Sequence, residues 1–136
     1  MIKAIAHICM LVKDLEKTRH FYCDILGLTK AFDFRRPDGK IFGFYLKVAD
    51  GNYLEFFEAG DNASPQGGNI THFCLEVDSI EKITRALQDS QYTVTAPEMG
   101  ADASWQAWTA DPDDVKIEFH QYTPASCQLT GQDCVM

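Results

Sequence analysis

The sequence predicts an α+β fold made of two βαβββ modules that form a curved mixed sheet. Three observations predict it. The first is an internal repeat: Ile5-Ala6-His7-Ile8-Cys9-Met10-Leu11-Val12 returns as Ile70-Thr71-His72-Phe73-Cys74-Leu75-Glu76-Val77. At this shift of 65 residues the isoleucine, histidine, cysteine and valine meet their own kind, and Glu16-Lys17 meets Glu81-Lys82. The second is a shared closing phrase, Asn52-Tyr53-Leu54-Glu55-Phe56 in one half and Val115-Lys116-Ile117-Glu118-Phe119 in the other. The third is that strand-like and helix-like hydropathy periods follow in the same order in both halves. Self-similarity at a fixed period marks a repeated structural unit.

Each element has a local reason. Residues 5–12 alternate, with Ile8, Met10 and Val12 on one side and His7, Cys9 and Leu11 on the other, which predicts a strand. Asp14 offers an N-cap. Leu15, Thr18, Phe21, Tyr22, Ile25 and Leu26 then recur at helical spacing up to a stop at Gly27, so one helix is expected. Leu28–Arg35 and Ile41–Val48 read as strands joined by Pro37-Asp38-Gly39, and Asp50-Gly51 turns into a fourth, Asn52–Glu58. The polar, glycine- and proline-bearing stretch Gly60–Asn69 reads as a linker.

The order then repeats. Ile70–Val77 is a predicted strand, and Asp78 with Glu81 resembles a capping box opening a helix to about Asp89. Tyr92–Ala96 reads as a short strand and Trp105–Ala110 as a longer one. The turn Asp111–Asp114 leads into a last strand, Val115–Gln121. The modules therefore span about 4–59 and 69–122 of a single domain 1–122. The tail 123–136 shows no periodicity. One module alone buries too little apolar area to be stable, so two placed edge to edge are expected to curl into a trough.

Bulk properties narrow the function classes. With 12 Lys+Arg against 20 Asp+Glu, the net charge of −8 argues against nucleic acid or an anionic membrane as partner. An anionic small molecule stays compatible, because local charge can oppose the total. No apolar run approaches the length of a membrane span. Met1-Ile2-Lys3 leads directly into the first strand pattern, so a cytoplasmic chain without a signal peptide is expected. Five cysteines with no C-x-x-C fit reduced thiols. There is no phosphate-binding glycine loop, no Gly-x-Ser-x-Gly and no nucleophile motif.

The chemistry lies in the repeated polar residues. Strand alternation sets Glu55 with Tyr53 and Phe57, opposite Leu54 and Phe56. It sets Glu118 with Lys116 and His120, opposite Val115, Ile117 and Phe119. The apolar sides must face the helices, so the glutamates and histidines face the concave side. A lone His or Glu in a strand is more often a packing or solvated residue. Here His7, Glu55, His72 and Glu118 recur in one pattern, which suggests a four-ligand metal site at the seam between the halves. Two carboxylates and two neutral imidazoles sum to −2, which a divalent cation cancels. Without it the glutamates would repel. An N2O2 donor set suits nickel, cobalt, iron, manganese or zinc better than calcium or copper(I). Four protein ligands around a six-coordinate ion leave room for substrate oxygens.

Neighbouring residues have open roles. Cys9 and Cys74 could be thiolate ligands, although small semi-apolar residues flooring the trough is the preferred reading. His120 could support a ligand, act as an acid–base group or sit in solvent at a strand end. His20 reads as solvated. Trp105 and Trp108 lie on opposite strand faces, so one can line the pocket and the other is expected in the core. Arg35 and Arg36 could clamp an anion but read as a solvated turn.

Taken together these residues resemble the vicinal oxygen chelate superfamily, the glyoxalase/bleomycin-resistance/extradiol-dioxygenase group, over residues 5–122. The matching motifs are the strand histidine, Phe21-Tyr22…Leu26-Gly27-Leu28, the second-module histidine, and Asp111-Pro112-Asp113 leading to Glu118. One departure is Asp114, where the family usually has glycine; Asp tolerates positive φ better than most residues. The ligand set resembles that of glyoxalase I. That likeness implies His7, Glu55, His72 and Glu118 as metal ligands, with nickel or zinc first and cobalt, manganese or iron as alternatives. It implies Glu118 as principal base and Glu55 as its counterpart. Methylmalonyl-CoA epimerase usually carries Gln where Glu55 stands, and extradiol dioxygenases and fosfomycin-resistance enzymes use three protein ligands. The resemblance thus implies a metal-dependent lyase or isomerase of the lactoylglutathione lyase type, a homodimer acting on a small molecule with vicinal oxygens. The alternatives are an epimerase or racemase of the methylmalonyl-CoA epimerase type and a non-catalytic small-molecule binding or resistance protein.

Overall fold

The sequence repeat becomes two four-stranded sheets, one from each half of the chain. The computed structural model describes residues 1, 3–59 and 70–135. The chain divides into the units Met1–Gln66 and Gly67–Met136. The linker expected at 60–69 lies outside the described residues.

The first unit runs β1 (His7–Val12), α1 (Leu15–Arg19), a π-helical turn (His20–Ile25), β2 (Thr29–Arg35), β3 (Ile41–Ala49) and β4 (Asn52–Glu58). Its strand order is β1-β4-β3-β2, with β1 parallel to β4 and the other pairs antiparallel. The Asp14 cap forms as expected: its Oδ1 accepts the N–H groups of Glu16 and Lys17 at 2.9 and 3.1 Å. The helix does not continue regularly to Leu26. After Arg19 it widens, and the Leu26 N–H donates to the Phe21 carbonyl five residues back. The wider turn serves packing, because the adjacent residues Phe21 and Tyr22 are both fully buried, with rings 5.0 Å apart at 82°. Gly27, at φ +78°, then ends the segment, as a left-handed stop requires. The helix side of the sheet collects Met10, Val12, Phe44, Leu46, Leu54 and Phe56.

The second unit runs β5 (Phe73–Glu76), α2 (Ile80–Asp89), β6 (Glu98–Met99), β7 (Trp105–Ala110), β8 (Lys116–Gln121) and α3 (Cys127–Thr130). Its order, β5-β8-β7-β6, copies the first, again with the opening strand parallel to the closing one. Three expectations need correction. The helix cap is Ser79, not Asp78: its Oγ accepts the Lys82 N–H at 3.2 Å. That register buries Ile80 completely and lets Gln121 Oε1 accept its N–H at 2.8 Å. Tyr92–Ala96 forms only an isolated bridge, Val94 to Thr109, and the pairing strand is Glu98–Met99. One backbone bond, from Thr95 N–H to the Trp108 carbonyl, remains, and side-chain bonds take the other places: Thr95 Oγ1 accepts from Trp108 N, and Thr109 Oγ1 donates to the Thr93 carbonyl. The tail is also more ordered than its lack of periodicity suggested. Thr123 and Ser126 donate to the Ala103 carbonyl, and Cys127 N–H donates to that of Asp102, pinning the segment to its own unit.

The turn into β8 shows how a polar residue type is fixed by backbone need. Asp111 is buried, and its Oδ1 accepts the N–H groups of Asp113 and Val115, both at 2.9 Å. Asp114 takes φ +65°, as the reading of that turn anticipated. A β-branched side chain there costs about 1–2 kcal/mol, whereas glycine fits without strain. Asp114→Val is therefore expected to lower the midpoint of thermal unfolding by several degrees and Asp114→Gly to leave it equal or raised. Equal midpoints for the two variants would remove the backbone explanation. Among the described residues no helix is long and apolar enough to cross a membrane.

Candidate metal centre

Topology explains why the expected ligands meet in pairs. The first and last strands of each unit are neighbours in its sheet. In the first unit Cys9 lies opposite Glu55 across β1–β4, so His7 reaches the carboxylate diagonally. His7 Nε2 is 3.6 Å from Glu55 Oε2. In the second unit Cys74 lies opposite Glu118, and His72, one residue before β5, brings Nε2 to 3.2 Å from Glu118 Oε2. Both glutamates sit on the face turned away from the buried Leu54 and Phe56, or Ile117 and Phe119. The four expected ligands thus form two His–Glu pairs, one in each unit.

The rings are oriented by their surroundings. Thr71 Oγ1 lies 2.8 Å from His72 Nδ1, which leaves Nε2 for the glutamate side, and the Trp108 ring meets that imidazole edge-on at 4.7 Å. His7 meets Tyr45 edge-on at 5.7 Å. Tyr45 in turn belongs to a run of rings on the Glu55 side of the sheet. It stacks on Phe32 at 4.8 Å and 19°, and on Tyr53 at 5.0 Å and 26°. Phe34 and Phe57 continue the run at 4.7 Å. Gly43 makes room for it, since a Cβ there would come within 2.6 Å of the Phe57 ring.

The two units differ beyond the pairs. Glu118 and His120 are each only 8% exposed. Burial excludes a strand-end position in solvent for His120. Its Nε2 is 2.9 Å from Glu118 Oε1, yet off the line of the ring N–H, so this buried nitrogen has an ionic neighbour and, among the described residues, no aligned hydrogen bond. Its Nδ1 is 3.9 Å from Asp102 Oδ2. Asp102 is held by Gln128 Nε2 at 2.6 Å and by Ser104 N and Gln106 Nε2, both at 3.2 Å. Burial pushes the Asp102 carboxyl up, but the hydrogen bonds from Gln128 and Ser104 outweigh it and hold the group below its usual value. Sequence reasoning missed Asp102 and Gln128. Neither belongs to the repeat, and no local pattern announces a contact between a loop and the tail.

Cys9 and Cys74 lie beside the two carboxylates, which favours the thiol over the thiolate in each. Partial shielding from solvent, then hydrogen bonding to Glu55 and its charge, push the Cys9 thiol up to about 11. Shielding, then the charge and hydrogen bond of Glu118, push Cys74 up to about 12. Of the tryptophans, Trp108 stands beside His72, but Trp105 is 37% exposed at its strand end and is not the core residue expected. His20 is exposed, with Nδ1 2.8 Å from Asp24. Arg35 bonds to Gly39 and Asp33 within the turn, and Arg36 lies over the Phe42 ring. A cavity of about 460 Å³ opens between α1 and β2, away from both His–Glu pairs. Its lining includes Arg19 with Glu16 and Lys30 with Asp33, ion pairs that satisfy one another.

A profile of the Glyoxalase/Bleomycin resistance protein/Dioxygenase superfamily matches residues 4–119, most of the chain. The chain belongs to this superfamily. A glutathione transferase, FosA, of Serratia marcescens is 28% identical over 123 residues, which is 88% of this chain and 82% of the relative. A lactoylglutathione lyase of Haemophilus influenzae is 29% identical over 121 residues, 85% of this chain and 90% of the relative. Both of these distant superfamily relatives are named as enzymes. In structure, the antibiotic binding protein TnmS3 of a Streptomyces species matches 90% of this chain and 98% of its own, with a TM-score of 0.72 at 22% identity, a likeness of fold alone.

The donors present fit a divalent ion. Two donors about 2.1 Å from one ion and adjacent to each other lie roughly 3 Å apart. The His–Glu separations of 3.6 and 3.2 Å are close to that. The imidazole–carboxylate set is borderline in softness, as first-row divalent ions require. The second unit adds a buried donor: His120 Nε2, 2.9 Å from Glu118 Oε1, makes no aligned hydrogen bond among the described residues.

Proposed function

We propose that this superfamily member is a metal-dependent lyase or isomerase of the glyoxalase I type. In this reading His7, Glu55, His72 and Glu118 together hold one divalent ion, nickel or zinc first, the two pairs coming from one chain or from two copies in a homodimer. The observation that carries the reading is the recurrence of a His–Glu pair at the same sheet position in both units, on the face opposite the core. When bound, the ion supplies Lewis-acid stabilisation of the oxyanion that proton loss creates.

The protein's own groups supply the rest. Glu118 accepts a carbon-bound proton next to the carbonyl and returns it at the neighbouring carbon, with Glu55 as its counterpart. The shielded position of Glu118 keeps bulk water from competing for that proton. The ring run Phe32–Tyr45–Tyr53 beside His7 supports a substrate whose vicinal oxygens carry an apolar or aromatic substituent.

Metal analysis of the purified protein, with His7→Ala beside it, tests the centre. The wild type is expected to hold metal and His7→Ala to lose at least tenfold in affinity. Cys9→Ala is expected to match wild type. Hemithioacetals of phenylglyoxal and methylglyoxal, each with several thiols, then test the chemistry, the phenyl compounds being turned over at the higher kcat/KM. Tight ligand binding by metal-stripped protein, without proton exchange in any α-hydroxycarbonyl compound, would instead establish a sequestering protein.

A further inference from the structure

Glu118 has two carboxylate oxygens, and each has an imidazole neighbour. Oε2 faces His72 Nε2 at 3.2 Å, and Oε1 faces His120 Nε2 at 2.9 Å. The centre proposed above uses only the His72 side. On the other side Cys74 lies directly across from Glu118 in the β5–β8 register. The donor atoms of Cys74, Glu118 and His120 all lie within 4.8 Å of one another.

The condition of His120 suits a metal donor. The residue is more than nine-tenths buried, and its Nε2, 2.9 Å from Glu118 Oε1, has no aligned hydrogen bond among the described residues. An unpaired buried nitrogen is costly unless something else satisfies it. The far ring nitrogen faces Asp102, which is fixed by Gln128, Ser104 and Gln106. A carboxylate behind the far nitrogen is the usual support of a metal-binding histidine, setting its tautomer and ring angle. Through Gln128 the tail holds in place the carboxylate that stands 3.9 Å behind the imidazole, within ion-pair range.

The repeat provides an internal contrast. Cys9 stands opposite Glu55 as Cys74 stands opposite Glu118. Two residues after Glu55, however, the chain has Phe57 where the second unit has His120. Among the described residues, the second unit alone brings a thiol, a carboxylate and an imidazole to within 4.8 Å of one another, because His120 stands beside Glu118 on β8.

We propose that Cys74, Glu118 and His120 form a second cation site, lying wholly within the second unit and taking a thiophilic divalent ion such as zinc, cobalt or cadmium. As thiolate, carboxylate and neutral imidazole the set carries −2, with the thiol proton released to solvent. Sulfur selects softer ions than the His–Glu set does. Donors around a tetrahedral ion stand roughly 3.6 Å apart, so the widest separation contracts by about 1 Å, within reach of side-chain rotation. Cys74 keeps exposed surface, which gives an ion a way in. An ion there engages the Glu118 oxygen that faces away from His72.

Cobalt titration of the full metal-stripped chain, followed by absorption, tests this. Wild type is expected to develop a near-ultraviolet sulfur-to-cobalt charge-transfer band. Cys74→Ser is expected to lose it, while Cys9→Ser and Cys134→Ser keep it. His120→Asn is expected to weaken the titration of that band at least tenfold. Absence of the band in wild type, or its survival in Cys74→Ser, overturns the proposal. His7→Ala separates the two sites, because it is expected to remove cobalt from the four-residue centre and leave the band. A band without any His7-dependent cobalt upholds this site and sinks the four-residue centre. His7-dependent cobalt without a band does the reverse.

Discussion

Glu118→Gln is expected to lower proton-transfer turnover by about 10²–10⁴-fold while the protein stays folded. The amide matches the carboxylate in size, so Ile117 and Phe119, the buried neighbours on either side in β8, keep their packing. What changes is basicity, since a neutral amide cannot accept a carbon-bound proton. The measurement is solvent deuterium exchange at the substrate carbon, read with circular dichroism and metal content on the same sample. Glu55→Gln sharpens the assignment. Glu55 belongs to the more open pair, with His7 at 43% side-chain exposure against 33% for His72. A base exposed to water loses part of its advantage, so the smaller loss is expected there. Full activity in Glu118→Gln would remove the base assignment, and a larger loss in Glu55→Gln would exchange the two roles.

The features legible in the sequence were those written by strand period. His7, Cys9 and Glu55 fall on one side because alternation has a period of two and the opposite side must be apolar. The same logic gave Glu118 and His120 their common face. What alternation could not tell was burial. His120 could be placed on a face, but not said to be buried beside Asp102, which stands in a loop that belongs to no repeat. Local hydrogen bonding hid other features. Ser79 outcompeted Asp78 as a cap because Ile80 had to be buried, and threonine side chains took places in the ladder where Tyr92–Ala96 read as a strand. The π-helical turn was illegible because helical spacing cannot reveal that two adjacent rings, Phe21 and Tyr22, both need the core.

Because the site depends on that alternation, the second large effect lies on the opposite face. Phe56→Ala is expected to cost about 3–5 kcal/mol of unfolding free energy. Phe56 is fully buried, with Tyr22 at 4.8 Å and Phe44 at 5.1 Å, so truncation leaves a cavity between sheet and helix that neighbouring rings cannot fill by small shifts. Stability of domains of this class is about 5–15 kcal/mol, so the loss is a large part of the whole. Its immediate neighbour Phe57 turns to the ligand face, where it packs on Phe34 but keeps some contact with water. Phe57→Ala is therefore expected to cost about 1–2 kcal/mol, less than Phe56→Ala, through the loss of its two ring pairs with Phe34 and Phe42. Urea unfolding of both variants reads the difference directly. Equal costs would mean that the two faces of β4 are not functionally distinct, and Glu55 would then lose the physical reason for standing where a ligand must.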